Sequence, residues 1–156
     1  DSMAIVRSAG TEIIRSAHFE DVNNSPNNDL IVGVQHHIYT VLSIIVYFNA
    51  VGGSTDPDKA CTISLLGYDS YAGTTAQNMN IVNSQGRSAG DTFVWNDKFS
   101  FNGYEPVDFT GPVDNATKQD AIADQGSSVA QKLQIWSGNA STLLDVHITY
   151  IDQNNA

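Results

Sequence analysis

Basic charge is scarce in this chain. Seven Lys and Arg stand against seventeen Asp and Glu, a net charge of −10, and the seven are scattered singly from Arg7 to Lys132. Neutralising phosphates takes clustered cations, so nucleic acid is not an expected partner, and neither is an anionic membrane surface. Cysteine is nearly absent as well. Cys61 stands alone, so no internal disulfide is possible, and its place in the run Ala60-Cys61-Thr62-Ile63-Ser64-Leu65-Leu66 reads as a buried strand thiol. No hydrophobic run reaches the roughly 20 residues that a membrane-spanning helix needs; the most apolar stretch, Ile38 to Val51, is interrupted by Ser43 and Asn49. The segment Met3-Ala4-Ile5-Val6-Arg7 lacks the apolar core of a secretory leader, and Asp1-Ser2 read as an expression remnant ahead of a natural start at Met3.

Charged residues make up only 15% of the chain, against about 25% in an ordinary soluble domain. Asn, Ser, Thr, Gln and Gly supply the polar surface instead, which suits sheet faces and turns better than exposed helices. At 156 residues the length fits one domain, read here as residues 3–156.

Period two dominates the hydrophobic pattern. Between Thr40 and Asn49, Leu42, Ile44, Val46 and Phe48 fall on one face and Val41, Ser43, Ile45 and Tyr47 on the other. Near the end, Leu144, Val146, Ile148 and Tyr150 alternate with Asp145, His147 and Thr149. Further strands are expected at Ile5–Arg7, Thr11–Phe19, Leu30–Val34, Cys61–Tyr68, Met79–Val82, Thr92–Trp95, Phe99–Phe101, Val107–Phe109 and Val129–Trp136. Turn-forming clusters separate them, and Asn102-Gly103 is the strongest hairpin signal. Only Asp114 to Asp124 suits a helix, with Asp114 or Asn115 as its cap and Gly126 as its stop, inside an apparent loop or short-helix insertion at 110–128. Short strands at this spacing predict an all-β, single-domain antiparallel β-sandwich, jelly-roll-like.

The middle of the chain is rich in rings. Tyr68, Tyr71, Trp95, Phe99, Phe101 and Tyr104, with Trp136 further on, are candidate interface or ligand contacts; the alternative is that the rings fill one ordinary core. Trp and Tyr beside Asn and Asp are also how sugar-binding sandwiches hold saccharides, so a glycan is a possible ligand.

Catalytic and metal signatures are weak. Gly86-Arg87-Ser88-Ala89-Gly90 matches the G-x-S-x-G nucleophile pattern, and Asp120 and His147 follow in hydrolase order. That elbow needs a strand before it and a helix after it, whereas a strand follows here. His36 and His37 are adjacent and would face opposite sides of a strand. Asp145 and His147 share a face, as do His18 and Glu20, but two ligands on one strand make half a site, so a structural metal would have to bridge subunits. Neither Asp56/Asp58 nor Asp114/Asp120/Asp124 has calcium-loop spacing. Asn115-Ala116-Thr117 and Asn139-Ala140-Ser141 fit the glycosylation pattern, a chance match among fourteen asparagines. No catalytic residue, cofactor or metal is expected.

Two stretches carry a resemblance. Ser88-Ala89-Gly90-Asp91-Thr92-Phe93-Val94-Trp95-Asn96-Asp97-Lys98-Phe99 resembles the small-Gly-Asp-apolar strand entry of short β-sandwich virion proteins from tailed bacteriophages, notably marine and cyanobacterial ones. Asp145-Val146-His147-Ile148-Thr149-Tyr150-Ile151-Asp152-Gln153-Asn154-Asn155 is similar to their last strand and polar tail, and Met3 through Ile14 fits their opening. The resemblance implies a non-enzymatic capsid decoration or tail/fibre accessory subunit, assembled in the host cytoplasm into the virion. Its partners would be its own copies, with a trimer favoured, and other virion proteins. The long Thr110–Ser128 segment departs from that group.

Overall fold

A computed structural model describes residues 10–25, 28–53, 57–69, 75–106, 112–124 and 128–155. The expected strands at Ile5–Arg7 and Val107–Phe109, the helix stop at Gly126 and Tyr71 lie outside the described residues.

In chain order the elements are β1 (Thr11–Val22), β2 (Asp29–Val32), β3 (His37–Ala50), β4 (Ala60–Tyr68), β5 (Ala76–Gly86), β6 (Thr92–Trp95), β7 (Phe99–Asn102), β8 (Tyr104–Pro106), α1 (Ala116–Asp124), β9 (Ser128–Ala130), β10 (Lys132–Ser137) and β11 (Leu143–Asn154). One sheet runs β1-β11-β3, with β6 and β7 pairing successive halves of β3; the second runs β2-β10-β4-β5. All pairings are antiparallel. Counted with β6 and β7 as one interrupted strand, this is a jelly roll. β1, β2, β3 and β4 fall alternately in the two sheets, as do β10 and β11, so the chain wraps the core by crossing between them. The alternating pattern forces this arrangement, because each sheet has one apolar face to cover. Val41, Ile44, Val46 and Phe48 of β3 and Leu144, Val146 and Ile148 of β11 meet Ile63, Leu133 and Ile135 of the second sheet, all fully buried.

Three departures from the expected pattern have local causes. In β3 the register shifts opposite Thr149/Tyr150. Tyr39 and Val41 therefore join Ile44, Val46 and Phe48 on the core face, and Leu42 falls at the bulge. An extra residue reverses the alternation, so strict period two misplaced Leu42 and Val41. Asn102-Gly103 is not a hairpin turn: β7 pairs with β3, while β8 pairs with β9. Gly103 instead lets two backbones cross, since a Cβ there would lie 1.9 Å from the Val34 carbonyl oxygen. Its N–H donates to His37 O and its carbonyl accepts from Gln131 N–H. The expected strand Val129–Trp136 is divided at Gln131, where the chain leaves β8 and joins the second sheet.

The helix forms inside the insertion. Asn115 is its N-cap, Oδ1 accepting from Lys118 N–H at 3.0 Å, and Lys118 Nζ pairs with Asp114 at 3.1 Å. Cys61 is buried in β4, and burial pushes its thiol up to about 12.

Candidate functional site

Antiparallel partners lie on the same face of a sheet, so the register of the first sheet sorts its residues into inner and outer sets. Phe93, Trp95, Phe99 and Phe101 point inward. Phe101 is buried and stacks on Tyr39, ring centroids 5.4 Å apart, and the other three pack partly buried against the core. The rings of β6 and β7 thus pack against the core. Tyr68 ends β4, Tyr104 begins β8 and Trp136 lies in β10, each half-buried, so the candidate contacts do not gather on one surface.

The outer face is where unpartnered apolar groups collect. Ile45 pairs with Val94 and Tyr47 with Thr92, and Ile45, Tyr47 and Val94 are 39%, 41% and 51% exposed. Ile14 of the edge strand β1, opposite Ile151, is 73% exposed on the same side.

Beside that patch lies a histidine–carboxylate cluster. The pairing of β1 with β11 sets His18 opposite His147 and places Glu20 near Asp145, which joins the two half-sites within a single chain. His18 Nδ1 is 3.3 Å from His147 Nδ1, the rings are tilted with centroids 5.5 Å apart, and His18 Nε2 is 2.7 Å from Glu20 Oε1. A bulge between Phe19 and Val22 puts Asp21 in the left-handed region (φ 54°), from where its N–H donates to Asp145 Oδ1 at 3.1 Å. Asn49 Nδ2 donates to Asp21 Oδ1, also at 3.1 Å. The hydrogen bond from His18 holds the Glu20 carboxyl below the usual range, helped by one with Asp145. Asp145 is shifted upward, first by desolvation and then by its hydrogen bond with Glu20. The cluster borders a groove of about 470 Å³ where β1 and β2 diverge, lined by Asp21, Asn28, Asp29, Leu30 and others. Sequence reasoning missed Asp21 and Asn49, which no local pattern singles out.

The remaining candidates are dispersed. Ser88 lies in the connection from β5 to β6, its N–H donating to Asp91 Oδ2 at 3.1 Å, while Asp120 is on α1 and His147 faces His18. His36 occupies a tight turn at φ 65°, closed by His37 N–H donating to Val34 O, and His37 begins β3. His37 Nδ1 is 2.6 Å from Asp152 Oδ1, and Arg15 Nη1 is 3.2 Å from Asp152 Oδ2. The expected polar tail is thus in part a continuation of β11 that buries Asp152. Trp95 lines a second groove, of about 420 Å³, with Asn83, Asn96 and Asp97, and its indole N–H is buried without a partner among the described residues. Among the described residues, no helix is long and apolar enough to cross a membrane.

No family model matches the chain, and no curated protein does. A solved structure described as "Bacillus endospore appendages form a novel family of disulfide-linked pili" aligns over 100% of this chain and 99% of that one, at 8% identity and a TM-score of 0.38. A likeness that slight carries no inference about function.

Proposed function

We propose that this chain is a non-enzymatic structural subunit that works by associating with copies of itself and with neighbouring proteins. The observation that carries the reading is the outer face of the first sheet, where Ile45, Tyr47 and Val94 form an exposed apolar patch, with Ile14 exposed on the same face at the edge strand beyond β11. A patch of mutually adjacent apolar groups gains about 25 cal/mol per Å² when covered, before the cost of ordering the partners. The acidic surface opposes nonspecific clumping. The resemblance to tailed-phage virion proteins gives the assembly its setting: a capsid decoration or tail/fibre accessory subunit, with a trimer favoured.

Multi-angle light scattering after size exclusion tests the reading. A discrete oligomer is expected that Val94→Glu and Ile45→Lys reduce to monomer without loss of the β-sheet spectrum. A wild-type chain that stays strictly monomeric at high concentration would refute it.

Trp95 favours a second reading, a carbohydrate-binding module for host attachment. The part of the half-buried Trp95 ring that lines a groove with Asn83, Asn96 and Asp97 offers an apolar surface beside polar groups to a saccharide. Glycan-array binding lost in a folded Trp95→Phe variant would support it over pure scaffolding.

A further inference from the structure

The cross-strand histidine pair has the chemistry of a metal ligand set. His18 Nε2 lies 2.7 Å from Glu20 Oε1. A carboxylate accepts only from a protonated nitrogen, so this contact places the proton of the neutral imidazole on Nε2 and leaves Nδ1 as a bare lone pair. His147 Nδ1 stands 3.3 Å away and, with no metal bound, donates its hydrogen to that lone pair; a metal ion takes the place of this proton, His147 then carrying its N–H on Nε2. Two nitrogens bound to one tetrahedral Zn²⁺ at about 2.0–2.1 Å sit about 3.3–3.4 Å apart, so the two rings already stand at the edge length of such a site. Glu20 is placed where an outer carboxylate orients a ligating histidine and raises its basicity. Glu20 is flanked by Asp145, which accepts from the backbone of Asp21, held in its strained conformation by the bulge and by Asn49. Strain of this kind persists only where the surroundings over-determine it, and it concentrates at functional positions.

We infer that His18 and His147 form a two-imidazole site for one borderline divalent transition-metal ion, of the Zn²⁺, Ni²⁺ or Cu²⁺ kind, with Glu20 as the outer carboxylate that orients His18. Among the described residues no three His, Cys, Asp or Glu side chains converge as a ligand set, so solvent completes the coordination. Imidazole nitrogen selects these ions over Ca²⁺ and Mg²⁺, which take oxygen ligands. The site lies within one chain and stands independently of the association proposed above.

Calorimetric titration of the full chain with ZnCl₂ and NiCl₂, with CaCl₂ as the hard-cation control, tests the inference. One saturable transition-metal site per chain is expected, with no Ca²⁺ site. His18→Ala and His147→Ala should each abolish it, Glu20→Gln should weaken it roughly 10–100-fold, and His36→Ala should leave it unchanged. Circular dichroism checks that each variant folds. For the wild-type chain, ¹⁵N–¹H spectra of the imidazoles should shift on Zn²⁺ addition at His18 and His147 and not at His36. Absence of saturable binding in the wild type, equal Ca²⁺ binding, or a site that survives loss of both imidazoles would overturn it.

Discussion

Asp152 is the charge that the fold has to accommodate. Its side chain is 1% exposed on the core face of β11, and its two carboxylate oxygens are met from opposite sides by strands β3 and β1. The partners differ in setting: His37 is 15% exposed, whereas Arg15 is 52% exposed and largely in water. Replacing Asp152 with Asn keeps the shape and removes the charge. A hydrogen bond to a charged group contributes about 1.5–3 kcal/mol, and an ion pair half in solvent adds no more than about 1 kcal/mol. Asp152→Asn should therefore cost about 3 kcal/mol, a fall in Tm of roughly 6–12 °C for a chain of this size.

Urea unfolding followed by tryptophan fluorescence measures that cost, and a double-mutant cycle apportions it. Coupling between Asp152→Asn and His37→Ala should reach about 1.5 kcal/mol or more, while Arg15→Ala alone costs less than about 1 kcal/mol. The asymmetry follows from burial, because the arginine can rehydrate and the histidine contact is screened from water. Equal costs for the Arg15 and His37 substitutions, or a wild-type midpoint for Asp152→Asn, would refute the reasoning.

Two further outcomes concern stability. Gly103→Ala should cost well over 2 kcal/mol, since its Cβ would meet the Val34 carbonyl at 1.9 Å and the backbones must separate; Gly90→Ala, at φ +88° in open space, should cost only about 1–2 kcal/mol of local strain. Thermal melts of the two variants rank them, and the reverse order would be inconsistent with the crossing at Gly103. Alkaline stability follows from groups kept neutral by burial. Cys61 is raised from its ordinary 9.0 to about 12 and Tyr39 from 10.0 to about 12, so the folded chain keeps protons that the unfolded chain releases. Their contribution is complete below pH 9 and declines through pH 12, at up to about 1.4 kcal/mol per pH unit for Cys61, and for Tyr39 only above its ordinary 10.0. Denaturant midpoints from pH 8 to 11 should fall accordingly, and Cys61→Ala should flatten the slope.

The last strand shows how far local pattern reaches. Leu144, Val146, Ile148 and Tyr150 alternate cleanly, and all are buried; two more residues along the same face is Asp152, so its burial was implicit in an alternation that was stopped too soon. In β3 the same rule failed past the bulge, because an added residue is invisible to a two-residue period. Composition and alternation therefore determined an all-β sandwich, a buried thiol at Cys61 and one short capped helix. Only the tertiary structure decided that the rings of β6 and β7 turn inward, that Gly103 marks a crossing of backbones, and that His18 meets His147 across 129 residues of sequence. Such contacts depend on which strands become neighbours. That choice is made by closure of the whole core around its apolar faces, a long-range free energy that no window of adjacent residues contains.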